Sequence, residues 1–323
     1  MKPSIHVFWV FLVCILGPLI VLSLLFFVRM NSVLTRQALT HLDTLASIQK
    51  SRAYTLYQTH LKDLESFSSR RQLRVLTNEY LSSKSKQTQE QILKILLDAK
   101  LATPEYRTIS VISLEGEVIA STERERIGTS VADADFFQKG KLKENVTTFF
   151  KNTQNDVLLY LTGPLQLDSK PVGVIAIETD TTDLFSLFRD HTGLGMTGEW
   201  GLTQHTKDGD GLIVVPGRFD TDPSSPLKSI ISKEKTKAPT VRALAGQEGI
   251  FADTVDYRGT PVLAATRYIP EADWAIGVKI AKSEAFGISR DLGSFLALLV
   301  VIFAALSILF YLYIVRQLRI IKT

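Results

Sequence analysis

The amino-acid sequence predicts an α+β protein in which a long N-terminal helical stalk and two tandem antiparallel-sheet modules are flanked by two transmembrane helices. Three observations lead to this prediction. A charge-free apolar run lies near each end of the 323-residue chain. Helical periodicity continues beyond the first run, and a pattern of strands and tight turns occurs twice in the remaining residues.

The two apolar runs, residues 7–28 and 292–315, contain no Asp, Glu, Lys or Arg. A helix rises about 1.5 Å per residue, so roughly 20 apolar residues cross the hydrocarbon core of a bilayer. Both runs are therefore predicted to span a membrane. Cleavage of the first run as a signal peptide is the alternative. Against it, the run exceeds the length of a signal-peptide apolar region, and residues 29–31 do not form a small-residue cleavage site.

The charge of the C-terminal tail predicts the orientation in the bilayer. Residues 316–323 contain three cationic side chains and no acid, which is typical of a cytoplasmic flank. Since two crossings return the chain to its starting side, both termini are predicted to be cytoplasmic. The region between the spans, from about residue 30 to about residue 290, is then extracytoplasmic, because long segments are exported regardless of their charge.

Composition excludes several classes of protein. Cys14 is the only cysteine and lies in the first apolar run, so the exported region has no intramolecular disulfide and must be stabilised by its hydrophobic core. The net charge is +4, but the basic residues are scattered among nearly as many acids. No basic cluster with interleaved aromatic residues occurs, so no nucleic-acid partner is predicted.

Two stretches before residue 104 have the periodicity of helices. Residues 30–67 contain no Pro or Gly, and a second stretch, 87–101, ends before Pro104. The apolar stripe of the first stretch consists of Leu39, Leu42, Leu45, Ile48, Leu56, Leu61 and Leu64. This spacing predicts an amphipathic stalk that continues out of the membrane. Its stripe needs a partner, which predicts a homodimer through the stalk; packing on the chain's own sheets is the alternative.

After Pro104 the apolar period changes to two, and the strand pattern occurs as two sets. The first set contains a hairpin at 108–114 and 117–121, a strand at 157–162 that breaks at Gly163-Pro164, and a strand at 171–177. The second contains strands at 199–204, 212–215, 250–255, 261–268 and 274–280, with a turn at 207–211. Each set ends in a glycine-containing apolar strand followed by an acidic helix start. Between the sets, residues 191–198 include three glycines, which indicates a module boundary.

The chain resembles the double Cache family of extracytoplasmic sensor domains, found in bacterial histidine kinases and chemoreceptors. The resemblance rests on residues 192–199, residues 271–278 and the order of all the parts. It implies six regions: tail and first transmembrane helix (1–29), stalk and distal helices (30–103), membrane-distal PAS-like (Cache) module (104–190), membrane-proximal PAS-like module (191–286), connector and second transmembrane helix (287–315), and a cytoplasmic tail similar to the start of a HAMP linker (316–323).

The resemblance implies the sensing region of a two-pass receptor in the bacterial inner membrane. Small-molecule binding in the distal module would be transmitted through the second transmembrane helix to a cytoplasmic output domain beyond residue 323. A membrane-anchored structural or interaction protein, such as a transporter subunit or envelope scaffold, is the alternative. An exported enzyme is disfavoured, because the sequence has no nucleophile, P-loop or zinc motif. No cofactor is expected, and no metal: residues 207–211 begin like a calcium loop, but Phe219 stands where a bidentate Glu is needed.

In the family, the ligand pocket lies between the distal sheet and a loop that corresponds to residues 128–140 here. Aromatic faces enclose a ligand and carboxylates orient its donors. The candidate ligand-binding residues are Asp133, Asp135, Phe136, Phe137, Phe149, Tyr160, Thr162 and Glu178. Core packing is the alternative for each of them, and helix capping for the two aspartates.

One departure from the family pattern bears on the ligand. Amino-acid-binding members hold the ligand carboxylate with an arginine two residues before a Trp-aromatic pair, and its amine with an acid on the last distal strand. Here Ala134 replaces that arginine, Phe136 and Phe137 replace the pair, and Glu178 retains the acid. A methyl group does not replace a bidentate guanidinium. The ligand is therefore predicted not to be an α-amino acid, unless Lys139 contacts its carboxylate; an amine, a small neutral molecule or no ligand remain open.

Overall fold

The computed structural model describes residues 5–220, 222, 225–235 and 237–320. The helices are α1 (Ile5–Ser68), α2 (Arg71–Ser83), α3 (Lys86–Ala102), α4 (Asp135–Leu142), α5 (Thr182–Arg189), α6 (Pro239–Leu244), α7 (Lys282–Ala285) and α8 (Gly287–Ile320), with a 3-10 turn at Arg124–Arg126. The strands are β1 (Tyr106–Ile112), β2 (Val118–Ser121), β3 (Asn145–Lys151), β4 (Val157–Leu167), β5 (Lys170–Asp180), β6 (Glu199–His205), β7 (Gly211–Val215), β8 (Ile230–Ile231), β9 (Gly249–Val255), β10 (Pro261–Ile269) and β11 (Trp274–Ala281). The predicted α+β class is confirmed.

Two antiparallel sheets follow one another along the chain. The first has the strand order β2-β1-β5-β4-β3, and the second has the order β8-β7-β6-β11-β10-β9. If β6 corresponds to β1 and β11 to β5, the arrangement β2-β1-β5-β4-β3 recurs as β7-β6-β11-β10-β9, with the short β8 added at one edge. The repetition read from the strand pattern is therefore present in the topology.

Each sheet packs one face against α1. In the first sheet the buried residues of this inner face are Ile109, Val111, Leu159, Leu161, Ile175 and Ile177, and in the second they include Leu202, Leu263, Ala265, Ile276 and Val278. Since successive side chains of a strand point to opposite faces, the residues between them point away from α1. The ring centroid of the fully buried Trp274 lies 6.0 Å from that of Tyr57 and 5.8 Å from that of Phe149, so one core joins the stalk and both sheets.

The predicted break at Gly163-Pro164 is wrong, because β4 continues to Leu167. The partner β3 ends its pairing at Thr162, whereas β5 remains paired beyond it. Pro164 therefore lies where β4 has a neighbour on one side only, and proline is tolerated at such an edge because its missing N–H leaves no ladder hydrogen bond unmade.

The apolar stripe of the stalk is covered within the same chain. Leu39, Leu42 and Leu64 are buried in the core that includes both sheets. Polar contacts fix the helix as well: an Arg267 guanidinium nitrogen lies 2.6 Å from Asp43 Oδ1, and Gln49 Nε2 donates to the Leu187 carbonyl at 2.6 Å. The alternative of intramolecular packing is therefore realised for these residues, and homodimerisation stays a prediction. The assignment of Ile48 to the same stripe is wrong: it is 45% exposed, because at about 100° per residue it lies about 120° from Leu42 around the helix.

The two apolar helical segments lie side by side at one end of the molecule. Within the described residues, α1 from Leu12 and α8 from Gly287 to Ile314 are long and apolar enough to cross a membrane. Ser289 Oγ donates to Asn31 Oδ1 at 2.6 Å. A Cβ atom on Gly293 would lie 3.1 Å from the Phe27 ring, so glycine allows the two helices to approach closely.

Candidate ligand-binding site

The candidate site lies on the outer face of the first sheet, the face directed away from α1. Glu178 on the central strand β5 is paired with Thr108 of β1 on one side and Tyr160 of β4 on the other. These three residues form one row across the sheet. Glu178 is 3% exposed, and a carboxylate at this depth requires compensating charge or hydrogen bonds.

The compensation comes from Arg126 in the 3-10 turn after β2. Its Nη1 donates to Glu178 Oε1 and its Nη2 to Oε2 at 3.2 Å, while Nε lies 2.5 Å from Glu123 Oε2. Burial alone would lower the pKa of Arg126, but the hydrogen bonds and charge of Glu178 outweigh it and raise the pKa. The acid of the site is thus held by a bidentate cation of the same chain.

An aromatic stack covers the ion pair. The Tyr160 ring lies between Phe136 and Phe150, with centroid distances of 3.9 Å and 4.2 Å and interplanar angles of 13° and 18°. The Tyr160 hydroxyl donates to Glu178 Oε1 at 2.8 Å. Burial and the neighbouring Glu178 charge raise the pKa of Tyr160, which keeps this donor protonated.

Helix α4 closes directly on the sheet. Thr162 Oγ1 donates to the Phe136 carbonyl at 3.1 Å. A Cβ atom on Gly140 would lie 2.5 Å from Thr162 Cβ, so the helix backbone touches β4 where glycine removes the side chain. Phe137 is 1% exposed in a small cluster beneath α4. The space between helix and sheet is filled by the chain's own side chains.

The predicted aspartates lie at the outer surface. Asp133 and Asp135 are exposed, and Asp135 Oδ2 pairs with Lys139 Nζ at 2.8 Å. The N-cap position of α4 is Ala134, which makes no side-chain capping bond. Lys139 is therefore engaged with Asp135 at the surface in this conformation.

Phe149 is not brought together with the other candidates, because it faces α1 and Trp274 on the opposite side of the sheet. Phe150 takes its place in the aromatic stack. The register of β3 against β4 shifts between Val146 and Thr148. This bulge inserts one residue and reverses which of the two phenylalanines points outward.

Sequence reasoning also missed Arg126. It belongs to a run of four charged residues, 123–126, a pattern that ordinarily indicates a solvated surface. No local signal in the sequence marks it: its role depends on the 3-10 turn lying after the β1–β2 hairpin, and on β1 being paired with β5, the strand of Glu178.

A cavity of about 640 Å³ lies in the second module, on the face of its sheet directed away from α1. Its wall includes Glu199, Lys279 and Asp256, whose side chains are 0%, 14% and 0% exposed. Lys279 Nζ lies 2.8 Å from Glu199 Oε1 and 3.3 Å from Asp256 Oδ2. Among the residues that the structure describes, no group of His, Cys, Asp and Glu is arranged to hold a metal ion.

The fold is that of the double Cache sensor domains. No protein-family model matches the chain, and no curated protein sequence matches it. Solved structures do match. The sensor domain of the Vibrio cholerae histidine kinase DctB is 13% identical with a TM-score of 0.55, over 78% of this chain and 99% of that one.

Two further ligand-binding domains are similar to about the same extent. The sensory domain of Campylobacter jejuni Tlp3, solved with isoleucine bound, is 12% identical with a TM-score of 0.55, over 79% of this chain and 97% of that one. The ligand-binding domain of Mlp24, solved with asparagine, is 14% identical with a TM-score of 0.53, over 81% of this chain and 98% of that one. At these identities the likeness defines the fold.

Proposed function

We propose that this chain is the extracytoplasmic ligand-sensing region of a two-pass transmembrane receptor in a bacterial inner membrane. Both termini are cytoplasmic, and the output domain lies beyond residue 323. One observation supports this most directly: a single helix, α1, runs from an apolar segment along both sheets, and α8 returns beside it from the last strand of the second sheet. The similar solved domains belong to a histidine kinase and chemoreceptors.

The proposed transmission route passes through the short helix between β11 and α8. Glu284 of α7 accepts hydrogen bonds from the Met196 and Thr197 backbone N–H groups at 2.8 and 2.7 Å and from the Thr197 hydroxyl. Thr197 Oγ1 in turn accepts from the Ala281 N–H at 3.1 Å. A displacement of the second sheet is thereby passed to the start of α8. A ligand drives this movement by its differential affinity for the two positions.

Ligand binding at the distal site requires that α4 move away from the sheet, because Phe136 and Tyr160 are stacked at 3.9 Å. An α-amino acid is the disfavoured ligand there. Its ammonium group would have to displace Arg126 from Glu178, a bidentate contact that a single ammonium does not reproduce. An amine or a neutral molecule that binds beside an intact ion pair agrees with this geometry.

Homodimerisation through the stalk is part of the proposal. Three apolar residues of α1 are exposed in this single chain: Val33 (41%), Ile48 (45%) and Tyr54 (39%). At about 100° per residue they fall within about a third of the helix circumference, opposite the stripe that the sheets cover. A second copy of α1 would bury this outer stripe.

Two measurements test the proposal. Alkaline phosphatase and a fluorescent protein, fused in turn after Asp168 in the β4–β5 turn and after Thr323, report which side of the membrane each position occupies. Phosphatase activity at Asp168 and fluorescence at Thr323 are expected. The second measurement joins residues 1–323 to the cytoplasmic part of a histidine kinase, in a series of insertions covering one helical turn, and screens small molecules for a change in kinase output. The opposite fusion pattern, or an output insensitive to every compound in every insertion, contradicts the proposal and favours an envelope scaffold.

A further inference from the structure

The cavity of the second module has the size and lining of a small-molecule site. Its volume of about 640 Å³ lies within the range of about 300–1,000 Å³ common for ligand pockets. The sheet forms its floor, α6 covers one side, and the wall combines apolar residues such as Ile213 and Val215 with buried charges.

The register of the two sheets explains why this space is open while the distal site is filled. The row Thr108–Glu178–Tyr160 of the first sheet corresponds to Glu199–Lys279–Ala264 of the second. A methyl group therefore stands where the first sheet places the stacked ring of Tyr160. In the next row, Gly201 and Gly277 are paired directly, so the sheet itself contributes no side chains there. Thr240 of α6 packs over this floor, since a Cβ atom on Gly277 would lie 3.1 Å from Thr240 Cγ2, and the cavity borders all three residues.

The same correspondence reverses the charge at the centre of the site. Lys279 occupies the position of Glu178, two residues before the end of the last strand in each sheet. Its ammonium group lies between Glu199 and Asp256 and 4.3 Å from the centroid of the Tyr257 ring. Arg258 is paired to Asp256 at 2.9 Å, so the two acids and the two bases neutralise one another. A ligand with net charge would therefore find no opposite charge left to compensate its own.

Glu199 retains capacity to accept hydrogen bonds. Asp256, by contrast, is occupied by the turn it supports: its Oδ1 accepts from the Arg258 and Thr260 N–H groups at 2.9 Å. Among the described residues, Glu199 Oε2 accepts only from the Tyr257 hydroxyl at 3.4 Å, a long contact for O–H···O. A fully buried carboxylate oxygen with so weak a donor has capacity left for a stronger hydrogen bond, which a ligand N–H or O–H supplies by displacing the Tyr257 hydroxyl.

We propose that the second module contains a ligand site for a neutral small molecule with a compact apolar body and hydrogen-bond donors, which lies on the Gly201–Gly277 floor and donates to Glu199. The proposal assigns a ligand to the module next to the membrane. It rests on the proposed sensing function only for the signal that binding would send into the second span. Since α7 and α8 follow β11 directly, a ligand on this floor contacts the strand that leads into the second span.

A labelling experiment on the full-length protein tests the cavity without knowledge of the ligand. In a Cys14→Ser background, Thr240→Cys places a thiol where α6 faces the glycine floor, and Ser82→Cys on exposed α2 is the matched control. Neutral, anionic and cationic methanethiosulfonates are compared. After normalisation to the control, the neutral reagent is expected to label Thr240→Cys at least about fivefold faster than the charged ones.

Gly201→Leu supplies the blocking variant. A Cβ atom there would lie 3.6 Å from Thr240 Cγ2, an ordinary contact, so the added side chain extends into the cavity without a backbone clash. Labelling of Thr240→Cys is expected to slow at least about tenfold when Gly201→Leu is added, because the space is then filled. Equal rates for the three reagents, or no slowing by Gly201→Leu, overturn the proposed site.

A thermal-shift screen of the full-length protein tests the ligand class, with polyols, sugars, amides and nucleosides in one arm and amino acids, amines and carboxylates in the others. A stabilising neutral compound is expected, lost in Gly201→Leu, weakened in Glu199→Gln and unchanged in Glu178→Gln. A hit lost in Glu178→Gln but retained in Gly201→Leu places the ligand in the distal module, which overturns this inference and leaves the sensing function intact. Hits confined to amino acids, amines and carboxylates also overturn the inference. Absence of any hit counts against both the inference and the proposed sensing function.

Discussion

The ion pair between Arg126 and Glu178 makes a quantitative prediction about the stability of the first sheet module. Arg126→Met keeps the length of the side chain and removes the guanidinium. Among the residues that the structure describes, the Glu178 carboxylate, 4% exposed, then retains only the Tyr160 hydroxyl as a partner. Removing one partner of a fully buried pair costs about 3–5 kcal/mol. Because the Arg126 side chain is 38% exposed, solvent screens part of its charge, and we expect a loss of about 2 kcal/mol.

The assay is thermal unfolding of the full-length protein in detergent, combined with hydrogen exchange of peptides from residues 106–180. A loss of about 2 kcal/mol lowers the melting temperature by about 3–4 °C in a protein of this size. The exchange measurement is needed because the two modules need not unfold together. We expect faster exchange in β4 and β5 and little change in β10 and β11.

Two further variants make the result decisive. Arg124→Met removes a neighbouring arginine, whose Nη2 lies 3.2 Å from Glu90 Oε2. The Glu90 side chain is 48% exposed, and such a surface pair contributes less than about 1 kcal/mol. Arg126→Met combined with Glu178→Gln removes both charges and is expected to recover at least half of the loss, because no uncompensated carboxylate remains. The reasoning is refuted if Arg126→Met has the same melting temperature as Arg124→Met, or if the double variant is no more stable than Arg126→Met alone.

Three other predictions follow from packing and protonation. Burial raises the pKa of Glu284, but its hydrogen bonds outweigh this and lower it. Glu284→Gln should therefore cost about 1–2 kcal/mol at pH 7 in urea titrations, and the difference from the native protein should disappear as the pH falls through the lowered pKa of Glu284. Leu64→Ala, at a position 0% exposed, should lower the free energy of unfolding by about 2–5 kcal/mol, whereas Leu101→Ala on α3, at a position 82% exposed, should change it by less than about 0.5 kcal/mol. Gly140→Ala should push α4 from Thr162 and speed exchange of the backbone amides in the last turn of α4; unchanged exchange would contradict the close approach.

Part of the candidate site was predictable because strand alternation is local. Tyr160 and Thr162 lie two residues apart on one strand, so they share a face whatever the rest of the chain does. Glu178 was predicted to belong to the same site as Tyr160 and Thr162, because the sequence places it on the last strand of the same set. Arg126 was not predictable, since nothing in a charged run shows that the turn bearing it folds over a sheet.

The exchange of Phe149 for Phe150 shows the same limit at the level of register. Alternation counted from Val146 directs Phe150 inward and Phe149 outward, and the bulge between Val146 and Thr148 reverses them. A bulge forms where the pairing of two strands demands it, so it is a property of the sheet and not of the strand's own sequence.

The sequence by itself determined most of the elements, their order, the repetition of the strand pattern and the two apolar helices, because these follow from periodicity and length along one stretch of chain. It did not predict β3 or α6, which line the two candidate sites. Only the tertiary structure decided what covers each surface. It placed the stalk's apolar stripe against the chain's own sheets and closed the distal site with Arg126 and a stack around Tyr160. In the second module it left a cavity lined by Gly201, Gly277 and Thr240. These outcomes depend on contacts between residues far apart in the chain, whose distances and shapes exist only once both sheets have formed.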